Sequence, residues 1–283
     1  MSVKLIVDSA SDVVAAYCEQ NGIGFAPLKT TLNGKEYRDG IDIIPNDFYA
    51  MLEANKEMAH TSQVNASEFG ELFEKAVSEG HEVVALTISS GLSGTFQSAR
   101  IAAADFPGKV FVVDSLTASA GEQVLLARAV ALRDEGKSAA EIFEELEVLK
   151  KKVRLFLRVE TLEYLKRGGR ISKTSAVVGG ILNIKPVIKM NAEGKLETVG
   201  KARGLKQSHQ VMNENILATG GFDRSMPVAI TYAGDVNDGA VDRYFADSAA
   251  LFEGVAPSIG QLGCAIGTHT GPGALVVAYV AKE

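Results

Sequence analysis

A run of short hydroxyl and glycine residues, Ser89-Ser90-Gly91-Leu92-Ser93-Gly94-Thr95, is the densest concentration of chemistry in this chain. It follows the apolar stretch 83–88 and precedes Phe96–Ala103, which reads as a helix. A strand–loop–helix junction aims backbone N–H groups and the positive end of the helix dipole at one spot. Short hydroxyls there add donors without filling the space. Such a site suits an oxyanion, phosphate or carboxylate, and the loop alone leaves that choice open. Thr61-Ser62-Gln63-Val64 adds two more hydroxyls before a helix, although the same residues would serve as a cap and turn. Lys166, Arg167 and Arg170 surround Gly168-Gly169, as basic residues do at an ordinary helix C-terminus. Arg170, beyond the glycines, is the candidate among them. Gly200–Lys206 is a similar basic stretch that reads more as surface. His269 precedes the rigid Gly271-Pro272-Gly273 turn, where a histidine serves either packing or a site.

Other chemistries find less support. The nucleophile elbow needs G-x-S-x-G, and Gly91-Leu92-Ser93-Gly94-Thr95 fails at its last place. No acidic residue immediately flanks His269. There is no P-loop lysine signature and no G-x-G-x-x-G after the first strand. Four histidines show no ligand spacing, so no metal is expected. Cys18 and Cys264 form no C-x-x-C pair, which argues against a disulfide scaffold or structural zinc. The residues therefore favour an oxyanion site of hydroxyls and backbone, with no catalytic residue assigned. An enzyme acting on a small phosphorylated or carboxylated substrate, with Ser93 or His269 in acid–base or nucleophilic roles, is the alternative.

The elements that must position these groups are legible in outline. At 283 residues and 46% apolar content the chain can bury a substantial core. A net charge of −6 argues against a general nucleic-acid surface. The N-terminus turns polar too early for a signal peptide, and no apolar run approaches the ~20 residues of a membrane span. A soluble cytoplasmic protein is expected. The first strand ends at Asp8, with Asp12 expected to cap the helix after it. Asn33-Gly34 between Leu28–Leu32 and Lys35–Tyr37 predicts a type I′ hairpin. Pro45 marks a helix start, Ser67 is expected to open another helix, and Ser138 with Glu141 forms a capping box. This alternation of short strands and helices predicts an N-terminal α/β domain over 1–157, with a mostly parallel sheet covered on both faces. Beyond it a C-terminal α/β domain, 158–283, has more antiparallel pairing. Its elements are a hairpin at Ile184–Met190 and Leu196–Gly200, helices at Leu205–Ala218 and Asp238–Phe252, and strands at Pro227–Tyr232, Ser258–Leu262 and Ala274–Val280.

Six stretches occur in an order that carries a family signature. They are Thr61-Ser62-Gln63, Ser89 through Ala99, Val113-Asp114-Ser115, Leu162 through Ile171, Ile184-Lys185-Pro186 and His269 through Gly273. Together they resemble the DegV family, which includes the fatty-acid-binding subunits of bacterial fatty acid kinase. The resemblance implies a two-domain DegV-like fold with one long-chain fatty acid in a buried tunnel, its tail in the C-terminal domain. It implies that Thr61, Ser93 and His269 meet the carboxylate, with Ser62 as a weaker neighbour. Arg170 and Arg203 correspond to basic residues at the site mouth. A separate fatty acid kinase subunit would phosphorylate the presented carboxylate to acyl-phosphate for phospholipid synthesis. The chain itself would then be no enzyme, would need no cofactor beyond the bound lipid, and would touch membranes only transiently. A sensor of acyl chains would share the pocket without needing the basic rim.

The energetics of that reading are coherent. Burying ~15 methylenes at ~0.8 kcal/mol each offers on the order of 12 kcal/mol before association costs. Hydroxyl hydrogen bonds then need only fix the head group, and a protonated His269 would add to them. Val177, Val178, Ile181, Leu182, Ile188, Phe222, Ile230, Leu262 and Ile266 are candidates for the tunnel wall or for ordinary core.

Overall fold

The computed structural model describes residues 2–54, 59–171, 183–235 and 239–282. Two larger sheets and one small one carry the chain. The first half runs β1 (Ser2–Asp8), α1 (Ala15–Gln20), β2 (Gly24–Ala26), β3 (Lys29–Leu32), β4 (Lys35–Arg38), α2 (Pro45–Ala54) and β5 (His60–Ser62). It continues through α3 (Ala66–Ser78), β6 (His81–Thr87), α4 (Thr95–Ala103), β7 (Val110–Asp114), α5 (Ala120–Asp134) and α6 (Ala139–Leu149). Strands β2-β1-β6-β7 form an all-parallel sheet. Residues 5–8 of β1 and 83–87 of β6 are all buried, the continuous apolar signature of a sheet covered on both faces. Strands β4-β3-β5 form a small antiparallel sheet that holds Thr61 opposite Thr30.

The second half runs β8 (Val153–Arg158), α7 (Glu163–Arg167), β9 (Ile184–Met190), β10 (Leu196–Arg203), α8 (Leu205–Ala218) and β11 (Val228–Tyr232). It ends with α9 (Ala240–Asp247), β12 (Ser258–Gln261), α10 (Cys264–Thr270) and β13 (Leu275–Val280). Its six strands lie in the order β10-β9-β8-β13-β11-β12, antiparallel except for the β11–β12 pair. Helix α5 packs on β1 and β6 of the parallel sheet and on β8, β11 and β13 of the six-stranded sheet, so it lies between the two. The opposite face of the six-stranded sheet packs Phe156, Val187, Val277 and Tyr279 with Met212 and Ile216 of α8 and Tyr244 of α9.

Local expectations met the structure unevenly. The Asn33-Gly34 turn has φ values of 53° and 71°, as a type I′ hairpin requires. The Ser138–Glu141 capping box is present, and α8 spans the expected residues. Helix α3 starts one residue before the expected Ser67, because Asn65 forms a capping box with Glu68. Asp12 does not cap α1, whose N-cap is Val14 without a side-chain bond; Asp12 accepts from Gly263 N instead. The helix expected to run to Phe252 stops at Asp247.

Candidate functional site

A cavity of about 380 Å³ opens between the halves, within the usual range for small-ligand sites of ~300–1,000 Å³. Its walls come from both. Leu28, Ile88 and Ala118 line it from the first; Leu155, Leu157, Met190, Leu196, Ala265, Ile266 and Val276 from the second. Thr61, Ser62, Gln63, Ser93, Gly94, Arg170 and His269 supply polar groups to the same lining. Five of the six residues expected from the sequence therefore share one cavity. Arg203 does not: it ends β10 exposed to solvent and outside the lining, its backbone N–H donating to Gln207 Oε1.

The hydroxyl loop works differently from the expectation. Most of its backbone donors are spent inside the protein. The N–H groups of Ser89, Leu92 and Ser93 go to backbone carbonyls, and that of Ser90 goes to Asp114 Oδ1. Gly91 N donates to Ser89 Oγ, and Thr95 N to Ser93 Oγ. Ser89 is fully buried and donates across to Gly194 O at 2.7 Å, at the tip of the β9–β10 hairpin. Gly91 must be glycine there, since a Cβ would sit 2.6 Å from that same carbonyl oxygen. The loop is thus a rigid mount that delivers one hydroxyl, Ser93, whose Oγ is 2.9 Å from Thr95 Oγ1.

His269 faces this loop from the last turns of α10. Its Nε2 lies 2.8 Å from Thr61 Oγ1, while its Nδ1 is buried without a hydrogen-bond partner, against Gly168. A Cβ at Gly168 would overlap that nitrogen, so the Gly-Gly turn makes room for the ring. Burial, then the Arg170 charge, then His60 push the imidazole down to about 4. The protonated form of His269, which would add to the head-group contacts, is therefore not favoured by its surroundings, and the ring is neutral at pH 7. Arg170 carries the positive charge instead. Its Nε donates to Leu92 O at 3.2 Å and one terminal nitrogen to Gly168 O at 2.5 Å, tying the hydroxyl loop to the α7 turn.

Several participants escaped the sequence reading. Gln63 lines the cavity and donates to Ser98 Oγ, and Ser119 lines it with φ 54°. A group of buried carboxyls, Asp8, Asp12, Asp39 and Glu122, lies behind the site. Burial raises all four; Asp8 is pushed up to about 7 against the opposing pull of its bonds from Ile88 N and Ala10 N. Arg158, 3% exposed, donates to Gly273 O at 2.7 Å and to Glu160, fixing the Gly-Pro-Gly turn after α10. Of the apolar wall candidates, Ile266 lines the cavity. Phe222 and Ile230 belong to the core on the far face of the sheet, and Ile188 and Leu262 to the main core. Val177, Val178, Ile181 and Leu182 lie outside the described residues. No group of His, Cys, Asp and Glu among the described residues could hold a metal, and no described helix is long and apolar enough to cross a membrane.

Comparison with known proteins agrees along the whole chain. A DegV domain-containing protein of Lactococcus lactis is 34% identical over 292 residues, covering 100% of this chain and 99% of the relative. A solved Thermus thermophilus structure, described as fatty acid binding of a DegV family protein, is 36% identical with a TM-score of 0.88, covering 99% of this chain and all of that one. The Streptococcus pneumoniae fatty acid kinase B3 protein, solved with linoleic acid, shares the fold at a TM-score of 0.85 and 23% identity, covering 100% of both chains. The DegV family model, whose description is of an uncharacterised protein, matches residues 2–282, and this chain belongs to that family.

Proposed function

We propose that this protein binds one long-chain fatty acid in the cavity and presents its carboxylate to a separate kinase subunit, which makes the acyl-phosphate. The observation that carries this reading is the cavity's composition. Thr61, Ser93, Arg170 and His269 converge on it, and its remaining wall is largely aliphatic. An apolar tail gains most from such a wall, and a carboxylate leaving water needs charge-assisted hydrogen bonds of the kind hydroxyls and a guanidinium give. The relatives described as binding fatty acids support the ligand class. Arg203, exposed beyond the cavity, fits a role toward the kinase rather than toward the lipid.

The enzyme alternative gains nothing from the geometry. Ser93 Oγ is paired with Thr95, and His269 Nε2 with Thr61, so the two are not arranged as nucleophile and base. Denaturing mass spectrometry of lipid extracted from purified protein tests the proposal. A stoichiometric long-chain fatty acid is expected. Lipid-free protein that also fails to take up added fatty acid would overturn it.

A further inference from the structure

We propose that Asp39 is a positioning residue for the head-group site, acting on His269 through helix α10. The inference rests on the reading that a carboxylate meets His269. Helix α10 starts at Cys264 after Gly263, which offers no side-chain cap. Its leading N–H groups are taken by carboxylates from the far end of the chain. Gly263 N donates to Asp12 Oδ1 at 2.8 Å, Cys264 N to Asp39 Oδ1 at 2.9 Å and Ala265 N to Asp39 Oδ2 at 3.1 Å. Asp39 is 2% exposed, and Ser9 Oγ donates to its Oδ2 at 3.0 Å.

Two features distinguish this from an ordinary cap. A serine or asparagine at position 263 would satisfy a donor locally, whereas a buried carboxylate near Asp8 and Asp12 carries a desolvation cost that a plain cap avoids. Asp39 also grips two successive N–H groups with its two oxygens. With Gly263 N already held by Asp12, two further bonds from one fixed carboxylate define the rotation of the helix start. Ala265 and His269 are four residues apart and so share a helix face, and both line the cavity. The rotation that Asp39 fixes is the one that aims the imidazole at Thr61. At the other end Arg158 holds Gly273 O, so the helix is anchored beyond its C-terminus as well.

The test is the preference of the protein for a long-chain fatty acid over the matching primary alcohol, read by displacement of a fluorescent fatty acid. Asp39→Asn keeps the shape but turns an amide NH2 toward one of the two N–H donors. Wild type should prefer acid over alcohol by about tenfold or more, the scale of a charge-assisted hydrogen bond. Asp39→Asn should cut that preference to about threefold or less while alcohol affinity changes by less than about threefold, a split that general loosening of the fold does not produce. The His269 ring resonances should shift in the same variant. An unchanged preference in folded Asp39→Asn overturns the proposal. If that variant does not fold, Ser9→Ala decides: it leaves the carboxylate but removes one of its anchors, and an unchanged preference there overturns the proposal equally. A wild type without any preference for the acid sinks the fatty-acid reading itself, a result distinct from either.

Discussion

Thr61 Oγ1 lies 2.8 Å from His269 Nε2, joining strand β5 to the end of α10 across 208 positions of sequence. Both residues line the polar end of the cavity. Thr61→Val keeps the shape of the side chain and removes the bond. The hydroxyl's bond to the bound carboxylate in the proposed function goes with it, and losing a bond to a charged acceptor, roughly 1–3 kcal/mol, should weaken fatty-acid binding by about 10- to 100-fold with little effect on an alcohol analogue. Titration calorimetry with both ligands checks this.

Gly168 has an ordinary φ of −70°, so alanine fits its backbone, and the main obstacle to a Cβ is the His269 ring, with Tyr164 O next at 3.2 Å. Gly168→Ala should therefore displace the imidazole and lower fatty-acid affinity by about tenfold while the melting temperature falls by only a few degrees. Parallel binding and thermal-unfolding measurements decide; equal affinity in the variant would refute the packing argument.

Two of the buried groups contribute opposing responses to acid. His269 is held down to about 4 from 6.5, so the unfolded chain takes up its proton first and stability falls as pH drops from about 6.5 to 4. Asp8 is held up at about 7 from 3.8, so the folded chain keeps its proton longer and stability falls as pH rises from about 4 to 7. The two largely offset each other between pH 4.5 and 6. Relative to wild type, Asp8→Asn should tilt stability upward with rising pH there and His269→Asn should tilt it downward, each by up to about 1.4 kcal/mol per pH unit. Urea denaturation at pH 4.5 and 6 measures both slopes.

Arg203 stands outside the cavity, so reversing its charge should leave lipid affinity within about twofold. If it faces the kinase, Arg203→Glu should slow kinase-dependent acyl-phosphate formation by about tenfold, an effect that added salt would imitate in the wild type. Turnover assays with purified kinase subunit at low and high salt give the answer.

What the sequence made legible was local. Asn33-Gly34 predicts its turn because both residues tolerate positive φ, and Ser138 with Glu141 predicts a helix start because the two groups satisfy each other. Thr61, Ser62, Ser93, Arg170 and His269 were found through the order of their motifs, and they do share one cavity. The rest depended on tertiary choices. Leu155 and Leu157 face the cavity while Phe156 faces α8, and nothing in an alternating apolar strand says which face meets a ligand. Asp39 gave no signal, because a carboxylate that caps a helix 225 residues later has no local signature. The hydroxyl loop misled in its own way. Its glycines and serines read as ligand donors, yet most of them hold the loop to itself and to the hairpin at Gly194.

The bonds from Asp12 and Asp39 to α10 also order events in time. During synthesis the first forty residues leave the ribosome long before residues 263–265 exist, and until then both carboxylates must stay hydrated. The head-group site cannot assemble on an unfinished chain, whatever the parallel sheet has already done. Contacts this distant in sequence are slow to close. The polar end of the cavity is therefore completed only after residues 263–269 have been made, and a chain that stops before them lacks it.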